Sequence, residues 1–229
     1  MAARDDLTVR LYGFNRLPLS PKIRAAVPGE RDLRGFVLAG TPGLSEHWRS
    51  RRLERRAGWL SWIRRDGTSR TPTVAHKLYI SPMPEAVGDA VRVLTPLVTD
   101  SPCVAFKLGA TPSFLARPDK LVAYFRGRNE MLDVARLAAE RLDGIPAHGV
   151  PFTFPLDSAG LVSSGVDPPY DADRLTSWRL WLCTELARAI LAADGGDALA
   201  AARSRLVALG IDPDTWQAPL DPWGTHGPG

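Results

Sequence analysis

The residues between 77 and 124 include three cations and two phenols whose spacing suits phosphate chemistry. Lys77 and Tyr79 are two positions apart, so they share one face if this segment is a β-strand. Lys107 lies among apolar residues of a further predicted strand, Arg117 follows in a loop, and Tyr124 lies in a third strand. Such a cluster would bind a phosphate, and crowding of like charges would lower the pKa of a lysine. A lysine that is neutral near pH 7 is a competent general base.

The same lysines also have a purely structural explanation. A lysine on an edge strand discourages pairing with a strand of another chain, and Lys77 and Lys107 fit that use as well. The spacing alone leaves both explanations open.

Alternating and helical apolar patterns define the elements that must position this cluster. The predicted strands are 74–81, 103–109 and 120–125. The predicted helices are 84–98, 129–144, 177–193 and 198–210. Residues 145–169 are rich in Pro, Gly and Ser, and we expect them to be irregular. This order predicts an α+β fold, with a small antiparallel or mixed sheet and flanking helices.

The length favours one domain, or one domain with an extension. The chain has 229 residues, and 45% of them are apolar. We expect a basic N-terminal segment over 1–70, a main domain over 71–212 and a disordered tail over 213–229. Within the N-terminal segment, a strand is predicted over 7–14 and a helix over 46–65.

Several classes of protein are disfavoured by what the sequence contains. No apolar run approaches the ~18 residues that a membrane span needs, and acids stand where a secretory signal has its apolar core. We therefore expect a cytoplasmic protein that does not bind a membrane. Cys103 and Cys183 cannot form a disulfide scaffold or a four-cysteine zinc site, and the histidines are scattered, so neither a metal nor another cofactor is predicted. Cys183 lies on the apolar stripe of a predicted helix, where a buried, inert thiol is expected.

The charge is divided unevenly between two parts of the chain. Residues 1–70 carry 15 basic and 7 acidic side chains, although the net charge of the whole chain is only +4. Arginine and tryptophan together suit an anionic or peptide partner. The candidate partner-binding residues are Trp48, Arg52, Arg55, Trp59 and Trp62. The alternatives are a solvated helix with a buried tryptophan face and, less favoured because no nucleic-acid-binding motif is present, a nucleic-acid site.

Five segments of the chain carry a resemblance to a known family. The segments are HKLYIS, SPCVAFKLG, ARPDKLVAYF, GVPFTFPLDSAGLVSSGVDPP and SWRLWLCTELARAI. The first three resemble the bacterial phosphothreonine lyases, which remove phosphate by β-elimination. The last two resemble the HopA-type effector family, which includes stand-alone lyases of class V lanthipeptide and related peptide pathways. The resemblance covers about residues 74–193.

This resemblance implies a role for each member of the cluster. Lys107 matches the general base that removes the Cα proton, and Lys77 matches a phosphate-binding lysine. Tyr79 stands where the effectors have a histidine general acid, and the HopA-type branch is similar to this chain in having tyrosine there. Arg117 and Tyr124 match further contacts to the substrate and its phosphate.

The chain departs from the family pattern where phosphate-binding arginines are expected. Residues 163–165 are Ser-Ser-Gly at the place of one such arginine, and Phe154 replaces a lysine of the HopA-type pattern. Arg126 and Arg179 are candidate replacements for the missing charge.

The resemblance implies a phosphoserine or phosphothreonine lyase of ribosomal peptide modification. Its substrate would be a precursor peptide phosphorylated by a separate kinase, because no kinase motif is present. The other expected partners are that kinase and further synthetase subunits. The alternative is a catalytically inactive lyase-like subunit that binds the precursor peptide, the kinase or another lyase.

Overall fold

The computed structural model describes residues 2–50, 58–65, 76–168 and 177–219. Its helices are α1 (Ala2–Tyr12), α2 (Pro21–Ala26), α3 (Glu30–Gly40), α4 (Leu44–His47), α5 (Val87–Thr99), α6 (Pro112–Leu115), α7 (Arg128–Arg141), α8 (Trp178–Ala192) and α9 (Ala198–Ala208). Its strands are β1 (Trp48–Ser50), β2 (Trp59–Arg64), β3 (His76–Ile80), β4 (Ala105–Gly109), β5 (Leu121–Phe125), β6 (Phe154–Pro155) and β7 (Val162–Val166). None of the described helices is both long enough and apolar enough to cross a membrane.

The chain divides into two compact units. The larger unit comprises Asn15–Val150 and Pro155–Ser164, and the smaller unit comprises Met1–Phe14, Pro151–Phe154 and Gly165–Gly229. The boundary predicted at residue 70 falls outside the described residues, so the predicted division of the chain stays a prediction.

The strands form a sheet in the order β1-β2-β4-β5-β3-β7-β6. The pairs β1–β2, β2–β4, β4–β5 and β5–β3 are all antiparallel. The sheet and its helices confirm the predicted α+β class. The three predicted strands and the four predicted helices of the middle and C-terminal regions are present with ends shifted by a few residues.

One face of the sheet builds the hydrophobic core of the larger unit. Alternate residues of β3, β4 and β5 point to this face, because side chains alternate along a strand. They include Leu78, Phe106, Leu108, Ala123 and Phe125, all buried. These residues join buried side chains of α3, α5 and α7 in one cluster. Burial of this apolar area, at roughly 25 cal/mol per Å², is the main force that holds the sheet in place.

The predicted strand over 7–14 is wrong, because residues 7–12 belong to helix α1 and the last two residues form a turn. Leu7, Val9 and Leu11 alternate as in a strand, but Leu7 and Leu11 are also four residues apart and share a helical face. Both are half-buried, whereas Val9 is exposed. In the smaller unit α1 packs against α8, and this packing selects the helical period.

The predicted helix over 46–65 is also wrong in its described parts. Strand β1 pairs with β2, with Trp48 opposite Arg64 and Ser50 opposite Trp62. Leu60 and Trp62 are buried at alternate positions of β2, which is the period of a strand. Only the short helix α4 at the start of the segment is helical.

The C-terminal residues fold within the smaller unit. Ser177 caps α8 by accepting a hydrogen bond from the Leu180 N–H at 3.3 Å. Cys183 is fully buried in α8, which confirms the predicted burial, and this burial raises the pKa of its thiol to about 12. Residues 213–219, which the sequence assigned to a tail, include Trp216 packed edge-on against Phe152 at 5.2 Å between ring centroids. Residues 220–229 lie outside the described residues.

Candidate active site

The second face of β3, β4 and β5 carries the side chains that the sequence singled out. Lys77 lies opposite Tyr124 across the β3–β5 pair, and Tyr79 lies opposite Val122. Val122 is in turn opposite Lys107 across the β5–β4 pair. Because directly opposite residues project to the same face, the antiparallel register collects two lysines and two tyrosines on three adjacent strands.

The ring of Tyr124 lies within reach of both lysines. The Nζ of Lys77 and the Nζ of Lys107 are each 5.8 Å from its ring centroid. This distance is at the outer limit of a cation–π contact. Tyr124 on β5 therefore lies between Lys77 on β3 and Lys107 on β4, the two strands that pair with β5.

The four side chains differ in their exposure. Lys77 and Tyr79 are buried, at 4% and 3% exposure, whereas Lys107 and Tyr124 are half-buried. Tyr79 packs in a small apolar cluster with Val122 and Val150. Lysine is rarely buried unless it has partners, so a buried Lys77 on a polar face indicates a position built for its charge. Lys107, which is half-buried, is the more exposed of the two lysines.

Arg117 is held next to this face by a carboxylate. Its Nε and Nη2 donate to Oδ1 and Oδ2 of Asp119, both at 2.9 Å, and Asp119 is buried. Such a two-bond pair fixes the plane of the guanidinium. The Cζ of Arg117 also lies 5.5 Å from the ring centroid of Trp59 and 5.4 Å from that of Phe114.

Trp59 is a member of this site that the sequence assigned to a different surface. It lies opposite Gly109 in the β2–β4 pair, two positions from the Ser61–Lys107 pair. The Nζ of Lys107 is 4.2 Å from its ring centroid. The buried residues Leu60 and Trp62 alternate with Trp59 and Ser61, which places Trp59 on the face away from the core. The apolar residues of this segment do not alternate, so its sequence contained no signal for this placement.

Sequence reasoning also missed Lys120, which is fully buried just before β5. Its Nζ donates to the Pro82 carbonyl oxygen at 2.7 Å and lies 2.7 Å from Nδ1 of His148. Nε2 of His148 lies 2.6 Å from the Asn15 carbonyl oxygen. Since a carbonyl only accepts, Nε2 carries the proton and Nδ1 accepts from Lys120. Burial lowers the pKa of Lys120 from 10.5 to about 7, although Asp119 and Glu85 oppose this change.

Two further predicted phosphate ligands, Arg126 and Arg179, differ in their burial and in the unit to which they belong. Arg126 follows β5 and is exposed. Arg179 belongs to the smaller unit, where it is buried. Its guanidinium donates to the carbonyl oxygens of Pro151 and Tyr12, both at 3.1 Å. A phosphate-binding role for either arginine stays a prediction.

The predicted partner-binding surface needs a correction at two tryptophans. Trp48 and Trp62 are 2% and 4% exposed, so neither presents a surface to a partner. Trp62 stacks on Phe106 at 4.8 Å and Trp48 meets the same ring edge-on at 4.9 Å, which makes both part of the core. Arg52 and Arg55 lie outside the described residues.

The site contains groups for anion binding and proton transfer and, among the described residues, no metal-binding group. Nowhere in the described ranges do three or more His, Cys, Asp or Glu side chains come together as metal ligands would.

The chain has only four lysines, and three of them, Lys77, Lys107 and Lys120, lie on or beside β3, β4 and β5. The fourth, Lys22, is exposed on α2.

Comparisons with known proteins show similarity in structure. No protein-family profile and no curated protein sequence matches the chain. The chain is similar to an effector protein from Pseudomonas syringae pv. tomato strain DC3000, with 13% identity over 95% of this chain and 96% of that chain and a TM-score of 0.56. It is also similar to an effector protein from Pseudomonas syringae pv. syringae strain 61, with 15% identity over the same shares of the two chains and a TM-score of 0.57.

A weaker similarity links the chain to the phosphothreonine lyase OspF from Shigella flexneri. It has 16% identity over 70% of this chain and 89% of that chain, with a TM-score of 0.47. A score at this level carries no argument about function. The two effector structures, at 13% and 15% identity, show the fold alone. The chain therefore has the α+β fold of these two effector proteins, which supports the predicted family resemblance at the level of fold.

Proposed function

We propose that the chain is a lyase that removes phosphate from phosphoserine or phosphothreonine in a peptide by β-elimination. The observation that supports this most directly is the cluster of Lys77, Tyr79, Lys107 and Tyr124 on one face of three adjacent strands. Arg117 lies beside that cluster, in contact with the same tryptophan ring as Lys107. Two amines, a guanidinium and two phenols supply both the proton acceptor and the fixed positive charge that elimination requires.

In the proposed reaction, Lys107 acts as the general base. Its neutral amine takes the Cα proton, and the C–H electron pair forms the Cα=Cβ bond. The Cβ–O bond breaks at the same time, and its electron pair leaves with the phosphate. The products are dehydroalanine or dehydrobutyrine and inorganic phosphate, and Lys107 is left protonated.

Charge develops on the leaving phosphate, and fixed cations stabilise it there. Lys77 is buried and therefore held in one place, and Arg117 is oriented by Asp119. Tyr79 hydrogen-bonds the leaving oxygen or protonates it. A phenol with an ordinary pKa of ~10 is a weak acid, so its main contribution is to orient the phosphate.

The proposed substrate is a ribosomally made precursor peptide of the lanthipeptide type. The resemblance of residues 149–169 and 177–190 to the HopA-type family, which includes the stand-alone lyases of such pathways, supports this choice. A separate kinase would supply the phosphorylated side chain, and the dehydrated residue would be used by a later step of the pathway.

The direct test is to incubate the chain with peptides that carry one phosphoserine or one phosphothreonine. We expect each peptide to lose the mass of one phosphoric acid, and a thiol should then add to the new alkene. The Lys107→Ala variant should be inactive, whereas the matched Lys22→Ala variant, which alters an exposed lysine on α2, should match the parent. If the parent leaves both phosphopeptides intact, or if Lys107→Ala is as active as the parent, the proposed reaction is wrong.

The ion pair between Arg117 and Asp119 favours a second candidate function. A carboxylate that already pairs with Arg117 at 2.9 Å competes with phosphate for its positive charge. The chain would then be a binding subunit that holds the precursor peptide or a partner enzyme without performing the elimination. Binding of the unphosphorylated peptide as tightly as the phosphopeptide, with no loss of phosphate, would favour this alternative.

A further inference from the structure

Two cations of the candidate site contact the same indole ring. The Nζ of Lys107 lies 4.2 Å from the ring centroid of Trp59, and the Cζ of Arg117 lies 5.5 Å from it. Both distances are within the ~6 Å over which the negative face of an aromatic ring attracts a cation. Like charges repel at short range, so a group that attracts both cations favours their coming together.

An indole differs from the carboxylate that contacts Arg117. Asp119 carries a full negative charge, which offsets the charge of the guanidinium it orients. Trp59 has no net charge, so it contacts Arg117 without cancelling the attraction of the guanidinium for an anion, and it holds Lys107 beside that guanidinium. Its apolar surface also keeps water away from part of each cation, which strengthens their interaction with a bound anion.

The position of Trp59 is itself fixed by neighbouring residues. Its ring meets Phe114 edge-on, with 5.3 Å between ring centroids. Gly58 has a φ of +99°, and a Cβ there would lie 2.3 Å from the Phe114 ring. A Cβ on Gly109, the residue opposite Trp59, would lie 3.0 Å from the Cβ of Phe114. Two glycines thus make the space in which Phe114 supports Trp59.

From these contacts we propose that Trp59 is a positioning residue of the candidate active site, which holds Lys107 beside Arg117 so that a phosphate bound by Arg117 lies next to the amine that takes the Cα proton. This inference rests on the proposed function for its biological use, but the binding step can be tested without any turnover. It replaces the expectation that Trp59 belongs to a separate partner-binding surface.

The small number of lysines makes the contact measurable. Lysine labelled with 13C at Cε gives four signals in this chain, and the Lys107→Ala variant identifies the signal of Lys107. The ring current of an indole 4.2 Å away should move that signal upfield. We expect Trp59→Leu to abolish the displacement and Trp59→Phe to retain part of it, because phenylalanine keeps a smaller aromatic face.

The matched control is Trp62→Phe. Trp62 lies on the same strand but is buried on the opposite, core-facing side of the sheet. This variant should lose some thermal stability while it leaves the Lys107 signal in place. An unchanged Lys107 signal in Trp59→Leu would overturn the proposal.

Inorganic phosphate is the binding probe, titrated against the Lys107 signal. We expect Trp59→Leu to weaken the Kd for phosphate by about tenfold, the effect of a loss of about 1.4 kcal/mol, with a smaller loss in Trp59→Phe and none in Trp62→Phe. An unchanged Kd in Trp59→Leu would contradict the proposal. If phosphate binding falls as expected and the parent still eliminates nothing from phosphopeptides, the inference about Trp59 stands and the proposed lyase reaction fails.

Discussion

The two faces of strands β3, β4 and β5 share one backbone and have different properties. Leu78 and Leu108 point to one face and are completely buried among side chains of the helices. Lys77 and Lys107, one position before each of them, point to the other face beside Tyr124. A shift of one position along a strand therefore separates the core from the candidate chemistry.

This difference explains how the sheet tolerates buried charge. Removing Lys77 from water costs free energy, and the Tyr124 ring is one of the neighbours that offset this cost. The core face stabilises the sheet independently of these contacts, because many apolar side chains of α3, α5 and α7 pack there. We infer that stability is located on one face and activity on the other, and the following variants test this separation.

The largest effect is expected for Lys107→Ala. Loss of the proposed general base should lower kcat for phosphopeptide elimination by roughly 10²–10⁴-fold, while the thermal unfolding temperature stays close to that of the parent. Lys107→Arg retains the positive charge but cannot act as a base, so it should be similarly inactive. A parental kcat in either variant would contradict the assignment of the catalytic base to this face of the sheet.

Leu108→Ala alters the next residue of the strand, which lies on the core face, and tests whether that face contributes stability rather than activity. The side chain is fully buried, so its truncation should lower the free energy of unfolding by about 2–5 kcal/mol. The kcat per folded molecule should be unchanged, since Leu108 does not face the site. Denaturant unfolding and elimination kinetics on the same preparation measure the two quantities. A large fall in kcat under conditions where all of the variant is folded would show that a change on the core face alters the candidate active site on the other face.

The lowered pKa of Lys120 predicts a moderate dependence of the free energy of unfolding on pH. Its pKa is lowered by burial to about 7, whereas the unfolded chain has the ordinary value of 10.5. Between these two values the unfolded state holds a proton that the folded state has released, so this group makes the protein more stable as the pH rises from 7 toward 10.5. Below pH 7 both states are protonated and the contribution no longer changes with pH.

Unfolding measured between pH 7 and 9 tests this prediction, because burial raises the pKa of both cysteines to about 12 and their opposing effect begins only above 9. Lys120→Met keeps an unbranched side chain without the titrating amine. The rise in stability with pH should be smaller in this variant than in the parent. Equal slopes in the two proteins would mean that Lys120 keeps an ordinary pKa despite its burial.

The smallest effect is expected for Arg126→Gln. Arg126 is exposed at the end of β5, and surface substitutions usually change the free energy of unfolding by about 0.5 kcal/mol or less. We expect kcat to stay at the parental value. A fall in kcat comparable to that of Lys107→Ala would instead place Arg126 among the phosphate ligands, as a replacement for the arginine that the family pattern has and this chain lacks.

The fold was predictable where the apolar pattern fits one period only. Helix α7 was predictable because its apolar stripe fits the helical period alone. Leu7 and Leu11 fit two periods, and the residues around Trp59 fit a helix only loosely. Both of those segments were assigned wrongly, because packing against α8 and pairing with β4 decided between alternatives of similar local preference.

The sequence by itself determined that Lys77 and Tyr79 share a face, because alternation along a strand is a local property of the backbone. It also determined that Cys183 is a buried thiol, since the apolar stripe of its helix extends around it. Only the tertiary structure decided that Lys107 stands between Trp59 and Tyr124. Which strands lie beside β4 depends on the pairing of segments far apart in the chain, and a local pattern specifies which residues share a face but not which strand is the neighbour.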